Sequence, residues 1–227
     1  ASAAPEVRML YAPGPREAIE DVSVTRDAVL VAATQNVRGR LLRIGFDGRE
    51  WLLNPVTMPT NGSIALAGAS SDETTAFALF RDYLKPDTLY AVDSRTSSAR
   101  PVQSMPDLFN AAGLVTEQFE ATSKDGTKVP YFVVHRRDAP RDGSQPTLLY
   151  GYGGFQISMS PAYAPVTGKL WLERGGVYVV ANIRGGGEFG PAWHDAGLKL
   201  KRQVVYDDFI AVAADLIARK ITSPRRL

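Results

Sequence analysis

Between Asp21 and about Val102 apolar residues come in short runs separated by polar turns, with no helical period. The runs Val22–Val24, Val29–Ala33, Leu41–Phe46, Glu50–Leu53, Ser63–Ala67, Thr75–Phe80 and Thr88–Asp93 recur roughly every ten residues, which predicts strands of a sandwich, a barrel or propeller blades. Asp47-Gly48 and Asn61-Gly62 fall between runs, where a positive φ costs little and a tight hairpin is expected. About two blades' worth of strand is present, too little to bury both faces by itself. Ser104–Gly113, with Pro106 inside it, reads as a hinge-like connection.

Beyond that stretch, Glu117–Ala121 and Val129–His135 predict an antiparallel pair joined by the turn Lys124-Asp125-Gly126, with Arg136–Gln145 as a polar loop. Then the period changes. Thr147–Tyr150 is a short apolar strand, and Tyr163, Val166, Leu170 and Trp171 are spaced as the apolar face of a helix that Gly175-Gly176 would close. Val177–Ile183 is apolar on both faces, as in a buried parallel strand. Asp207 or Asp208 is placed to cap a helix with Phe209, Ile210, Val212, Ala213, Leu216 and Ile217 on its apolar positions. Thr222-Ser223-Pro224 stops it, and Leu227 would open another strand. The second half is therefore an α/β layered domain.

Composition narrows the chemistry. At 44% hydrophobic and 22% charged residues the 227-residue chain is not a disordered one. A net charge of +2 is too balanced for a protein built around a phosphate backbone, so nucleic acid is not an expected partner. The longest strictly apolar runs, Ala28–Ala33 and Phe209–Ala214, are far too short to cross a membrane as a helix. With no cysteine there is no disulfide, no thiolate zinc and no cysteine nucleophile. His135 and His194 are the only histidines, so a site needing clustered imidazoles is excluded, and no metal is expected. The chain starts Ala1-Ser2-Ala3-Ala4, without an initiator Met, which suggests upstream processing or a segment of a longer chain.

Three features bear on function. Gly185-Gly186-Gly187-Glu188-Phe189-Gly190 spells the dinucleotide pattern G-x-G-x-x-G after a strand. Against that reading, Glu188 would put a carboxylate beside two phosphates, and the acids about twenty residues on, Asp207 and Asp208, begin a helix rather than end a strand. The plainer reading is a glycine turn that lets loops pack closely. Tyr150-Gly151-Tyr152-Gly153-Gly154-Phe155 lies at the carboxyl end of a strand, the edge where open α/β sheets bind ligands. A phenol freed by flanking glycines could donate to an oxyanion; ordinary aromatic packing is the alternative. The third feature is an absence: no serine here sits in a G-x-S-x-G elbow, and no Ser-His-Asp triad can be assembled.

The stretches Ser123–Pro130 (SKDGTKVP), Leu149–Phe155 (LYGYGGF), Gly175–Tyr178 (GGVY), Ala181–Gly190 (ANIRGGGEFG), Trp193-His194, Asp207-Asp208-Phe209 and Ser223-Pro224 together resemble the prolyl oligopeptidase family of serine peptidases. The match in order and spacing runs from about Thr116 to Leu227, with Val204 standing where the family pattern has Asn. The resemblance implies an α/β-hydrolase domain capped by a seven-bladed β-propeller that admits only short peptides. It places the last propeller blades in residues 1–113 and the first half of the hydrolase domain in 114–227. The nucleophilic serine, the aspartate and the histidine are then expected beyond Leu227, leaving this chain inactive and poorly folded by itself.

By the same resemblance Tyr152 matches the tyrosine whose hydroxyl helps form the oxyanion hole, and Phe155 an aromatic that lines the substrate pocket. Arg184 and Glu188 are expected to hold their loop, as a mutual ion pair. The implied reaction is cleavage of short proline-containing peptides on the carboxyl side of proline, without a cofactor. The oligomeric state is left open. An oligopeptidase B-like or acylpeptide hydrolase-like peptidase, a non-catalytic interaction module and a nucleotide-binding protein are the alternatives. The family implies a cytoplasmic location, and Ala1-Ser2-Ala3 as the tail of an export signal implies a periplasmic one.

Overall fold

The computed structural model describes residues 7–227, so the reading of Ala1–Ala4 falls outside the described residues. The first half forms two four-stranded antiparallel meanders. One contains β1 (Glu17–Val24), β2 (Ala28–Gln35), β3 (Arg38–Phe46) and β4 (Trp51–Pro55); the other contains β5 (Ser63–Gly68), β6 (Thr75–Arg81), β7 (Thr88–Asp93) and β8 (Ser98–Ser104). These are propeller blades, and each is an open sheet. Their inner strands bury the apolar runs of the sequence, and Leu30, Leu41, Val56, Ile64, Ala76, Ala78, Phe80 and Val92 form one core between the blades.

Turn chemistry accounts for two connections and corrects one. Asp47 accepts bonds from the backbone of Arg49 and Glu50 while Gly48 takes φ +100°, closing β3 onto β4 as expected. Asn61-Gly62 is not a hairpin but the passage between blades. There Gly62 is required because a Cβ would overlap the Arg81 carbonyl oxygen, and its own carbonyl accepts from Gly39 N–H at 2.7 Å. The β2–β3 hairpin turns on Asn36 and Val37, both at positive φ (49° and 66°). A β-branched residue is disfavoured there. Val37 is held by complete burial against the second half of the chain, in the core that contains Tyr83, Phe132 and Val134. The strand β8 carries no apolar run to announce it; it is an exposed edge strand with Pro101 at a register shift.

The second half is a mixed sheet in the order β11–β12–β10–β9, comprising β9 (Leu114–Thr122), β10 (Lys128–Arg136), β11 (Thr147–Gly151) and β12 (Val177–Ala181). The strands β11 and β12 are parallel, whereas β10 runs antiparallel to β12 and β9. Seven consecutive residues of β10 are buried because both sheet faces are covered. On one face lies α3 (Gln203–Ala218), through Val205, Val212 and Leu216. On the other lie α1 (Pro165–Leu170), a 3-10 turn at Leu172–Arg174 and residues of the blades.

Two helix expectations are corrected. The helix over Tyr163–Trp171 starts only at Pro165 and is six residues long, and Val166 and Leu170 are exposed. Its buried residue is Gly168, against which the Phe109 ring lies so closely that a Cβ would overlap it; Tyr163 stacks on Phe109 at 5.2 Å from outside the helix. Gly175 at φ +86° does close the element. The helix expected to begin at Asp207 or Asp208 begins at Gln203, so neither is its cap. Asp208 points into the protein and has other partners. Residues 224–226 form a turn, and the Arg226 carbonyl accepts from Thr147 N–H at 2.8 Å. No helix among the described residues is long and apolar enough to cross a membrane.

Candidate active site

The parallel register aligns Gly151 with Ala181, so β11 and β12 release their chains side by side into two glycine-rich loops. The loops touch backbone to backbone. Gln156 N–H donates to the Gly185 carbonyl at 3.3 Å, and a Cβ on Gly185 would overlap the Gly153 carbonyl.

In the loop after β11, Gly153 has φ +60°, and a Cβ there would meet the Arg184 carbonyl oxygen, Ile183 Cγ1 and Val205 Cγ1, each at 2.7 Å. Only glycine satisfies both constraints. Phe155 and Gln156 are also left-handed, at φ 52° and 56°. This local strain turns the Phe155 side chain outward, where it is 83% exposed. Tyr152, 39% exposed, stands beside it with ring centroids 6.5 Å apart and planes inclined by 23°. The two residues singled out in the sequence therefore share one surface at the carboxyl edge of the sheet. Arg202 Nη1 donates to the Gly153 carbonyl at 2.5 Å from below.

The loop after β12 is a packed one. Every residue from Ala181 to Phe189 is buried. The ion pair expected between Arg184 and Glu188 does not form. Arg184 instead grips Asp208 through Nε at 2.9 Å and Nη2 at 2.6 Å, while its backbone N–H adds a third bond at 3.0 Å. Ser123 Oγ donates to the same carboxylate at 2.6 Å, and Asp125 accepts from Arg184 Nη1 at 2.5 Å. The network ties the turn between β9 and β10 to this loop and to α3. The Arg184 guanidinium beside it holds the Asp125 carboxyl well below the usual carboxylate range, and Asp208 in turn raises the guanidinium. Asp208, fully buried, was readable only as a cap because its partners lie 24 and 85 residues away.

Glu188 is the packed loop's other buried acid, 1% exposed, and accepts from Met159 N–H at 3.0 Å and Asn182 Nδ2 at 3.3 Å. Its other oxygen, Asn182 Oδ1 and the Tyr83 hydroxyl have no partner among the described residues. Burial pushes the Glu188 carboxyl up, and Glu20 on β1 adds to the shift. The dinucleotide reading fails on this geometry: a Cβ on Gly186 would overlap the Glu188 carboxyl and one on Gly187 the Gln156 carbonyl, so protein fills the space a pyrophosphate needs. The helix that follows, α2 (Pro191–Asp195), has only five residues.

Both histidines are engaged in local bonds. His135 bridges Glu117 and the Arg136 carbonyl, each at 2.7 Å. His194 Nδ1 lies 2.7 Å from the Gly185 carbonyl and 3.1 Å from Gln156 N, at the seam of the two loops. A cavity of about 1020 Å³ lies elsewhere, where Arg16, Arg38, Arg40, Lys128 and Arg219 surround the junction of the first blade with β9 and β10.

Two family models cover most of the chain. Residues 10–105 match "Prolyl oligopeptidase, N-terminal beta-propeller domain" and residues 165–227 match "Prolyl oligopeptidase family". The chain belongs to the prolyl oligopeptidase family. An uncharacterised peptidase of Sinorhizobium fredii is 46% identical over 222 residues, which is 98% of this chain and 31% of that protein. A solved post-proline cleaving enzyme from Rickettsia typhi superimposes with a TM-score of 0.86 at 35% identity, covering 97% of this chain and 32% of the other. Oligopeptidase B from Leishmania major gives 0.84 at 28% identity, covering 94% and 31%. The chain thus spans about a third of the length of these prolyl oligopeptidase relatives. The two open blades followed by the start of an α/β peptidase sheet are the part of the family fold it represents.

Proposed function

We propose that these residues are part of a serine endopeptidase that hydrolyses short peptides on the carboxyl side of proline through an acyl-enzyme. Residues 1–113 contribute propeller blades and residues 114–227 the first half of the hydrolase domain. The serine nucleophile, the histidine base and the orienting aspartate lie outside the 227 residues. The observation that carries the reading is Tyr152: a phenol freed by Gly151, Gly153 and Gly154, exposed at the carboxyl edge of a parallel strand pair. There its hydroxyl donates to the oxyanion that develops when a serine attacks the scissile carbonyl. Phe155, exposed beside it, offers an apolar face to the substrate. The reading carries the family's cytoplasmic location with it.

In the intact peptidase Tyr152→Phe lowers kcat by about 10²–10³-fold with little change in KM, because the lost bond forms only in the transition state. Unchanged turnover overturns the oxyanion role. The 227 residues alone hydrolyse no proline-containing peptide, and cleavage by a pure preparation refutes the placement of the triad. The likeness to oligopeptidase B favours one alternative, a family peptidase not selective for proline. Equal kcat/KM on a peptide and on its proline-to-alanine counterpart would decide for it.

A further inference from the structure

The phenol of Tyr152 can meet an oxyanion only if the loop behind it holds one conformation, and the loop's own composition works against that. Gly151, Gly153 and Gly154 surround the tyrosine, and Phe155 and Gln156 adopt a backbone region that side chains disfavour. The rigidity has to come from outside. His194 acts at the far end, on Gln156, three peptides beyond the one that joins Tyr152 to Gly153.

Arg202 acts next to the tyrosine. It is the residue preceding α3, and its Nη1 donates to the carbonyl of Gly153 at 2.5 Å. That carbonyl belongs to the Gly153-Gly154 peptide, which directly follows the one joining Tyr152 to Gly153. A cationic donor makes such a bond stronger than a neutral one would. The guanidinium is itself confined. The Tyr206 ring lies 5.8 Å from its carbon, and Gly185 lies so near that a Cβ there would be 3.4 Å from Nη1. The side chain therefore rests on α3 and the buried loop, and reaches the exposed loop at one atom.

We propose that Arg202 is the positioning residue of the oxyanion site. By fixing the Gly153 carbonyl it removes the rotation of the Gly153-Gly154 peptide that would let the Tyr152 ring swing away. This rests on the oxyanion reading of Tyr152. Among the described residues Arg202 makes no hydrogen bond to the tyrosine, so its effect on rate passes through the loop that carries Tyr152.

The test is a double-mutant cycle in the intact peptidase with Tyr152→Phe, Arg202→Met and their combination, with Arg202→Lys as the conservative variant. Arg202→Met is expected to lower kcat by about 10–50-fold while KM moves by less than about threefold, since misplacing a donor by an ångström is costly to the chemical step. Arg202→Lys restores most of the rate, because an ammonium can reach the same carbonyl. In the Tyr152→Phe background Arg202→Met costs less than about twofold. Equal losses in both backgrounds, or full turnover in Arg202→Met, overturn the proposal while leaving Tyr152 its role. Full turnover in Tyr152→Phe overturns the oxyanion reading and the positioning role with it. Should Arg202→Met fail to fold, Arg202→Gln, a neutral donor of shorter reach, takes its place in the cycle with the same expectations.

Discussion

The two glycine loops leave neighbouring parallel strands at the same level, yet they solve opposite problems. In the loop from Asn182 to Phe189, glycine lets the Gly153 and Gln156 carbonyls and the Glu188 carboxyl lie against the backbone, while Arg184, Asp208 and Ser123 close a buried network beside it with the exposed Asp125 at its rim. In the loop from Gly151 to Gln156, glycine lets the backbone lie against Phe209, Val205 and the Arg184 carbonyl, while two aromatic rings face outward from it. The buried loop has the sequence pattern of a ligand site and is filled by the protein itself. The exposed loop has the pattern of a turn and carries the free phenol. Glycine content therefore does not identify a site; what matters is whether the polar groups around the glycines are consumed internally.

The strongest way to break this contrast is Asp208→Ala. It leaves the buried Arg184 guanidinium without its main partner, and loss of one member of a buried pair typically costs about 3–5 kcal/mol. A loss of unfolding free energy of that size, read from urea unfolding, is expected in the intact peptidase; a loss below about 1 kcal/mol means the network does not hold the buried loop. Next is Gly153→Ala, which adds a Cβ where φ is +60° and three atoms lie 2.7 Å away. A cost of about 1–3 kcal/mol is expected, together with a fall in kcat from the displaced Tyr152. Stability lost without any change in kcat would separate the loop's packing from its chemistry.

The smallest effect is expected at Glu188. Its folded carboxyl titrates above the unfolded value of about 4.3, so the stability it contributes is present below that pH and lost as pH rises through the raised value. Glu20 from β1 and Tyr83 from the second blade face the same carboxyl. Glu188→Gln keeps an acceptor for Met159 N–H and has no charge to desolvate. It should match the parent near pH 4 and be more stable than the parent at pH 7–8. Identical pH profiles for the two proteins would mean that burial does not govern this group.

Much of the architecture was legible along the chain because it rests on local regularities. Alternating short runs announced seven of the eight blade strands, and the continuous apolar stretch Val177–Ile183 announced the buried parallel strand β12. The strand β8 escaped because an exposed edge with a proline carries no apolar signal. The start of α3 was misplaced because two adjacent aspartates mimic a cap, whereas one of them belongs to a network with Ser123 and Arg184. The burial of Val37 could not be foreseen either, since the half it plugs into begins far along the chain. In the candidate site the pairing of Tyr152 with Phe155 was visible as a motif. The reach of Arg202 to Gly153, across 49 residues, was not.

What the sequence determined by itself is the strand pattern, the change from an all-β to an α/β half, the family, and the two aromatic residues set among glycines. Each depends on neighbours along the chain or on order and spacing, which folding does not alter. The tertiary structure decided which acid Arg184 grips, why Glu188 stays buried without it, and which side chain reaches the Gly153 carbonyl beside Tyr152. These depend on through-space distance, and a hydrogen bond or ion pair falls away within a few ångströms whatever the separation in sequence.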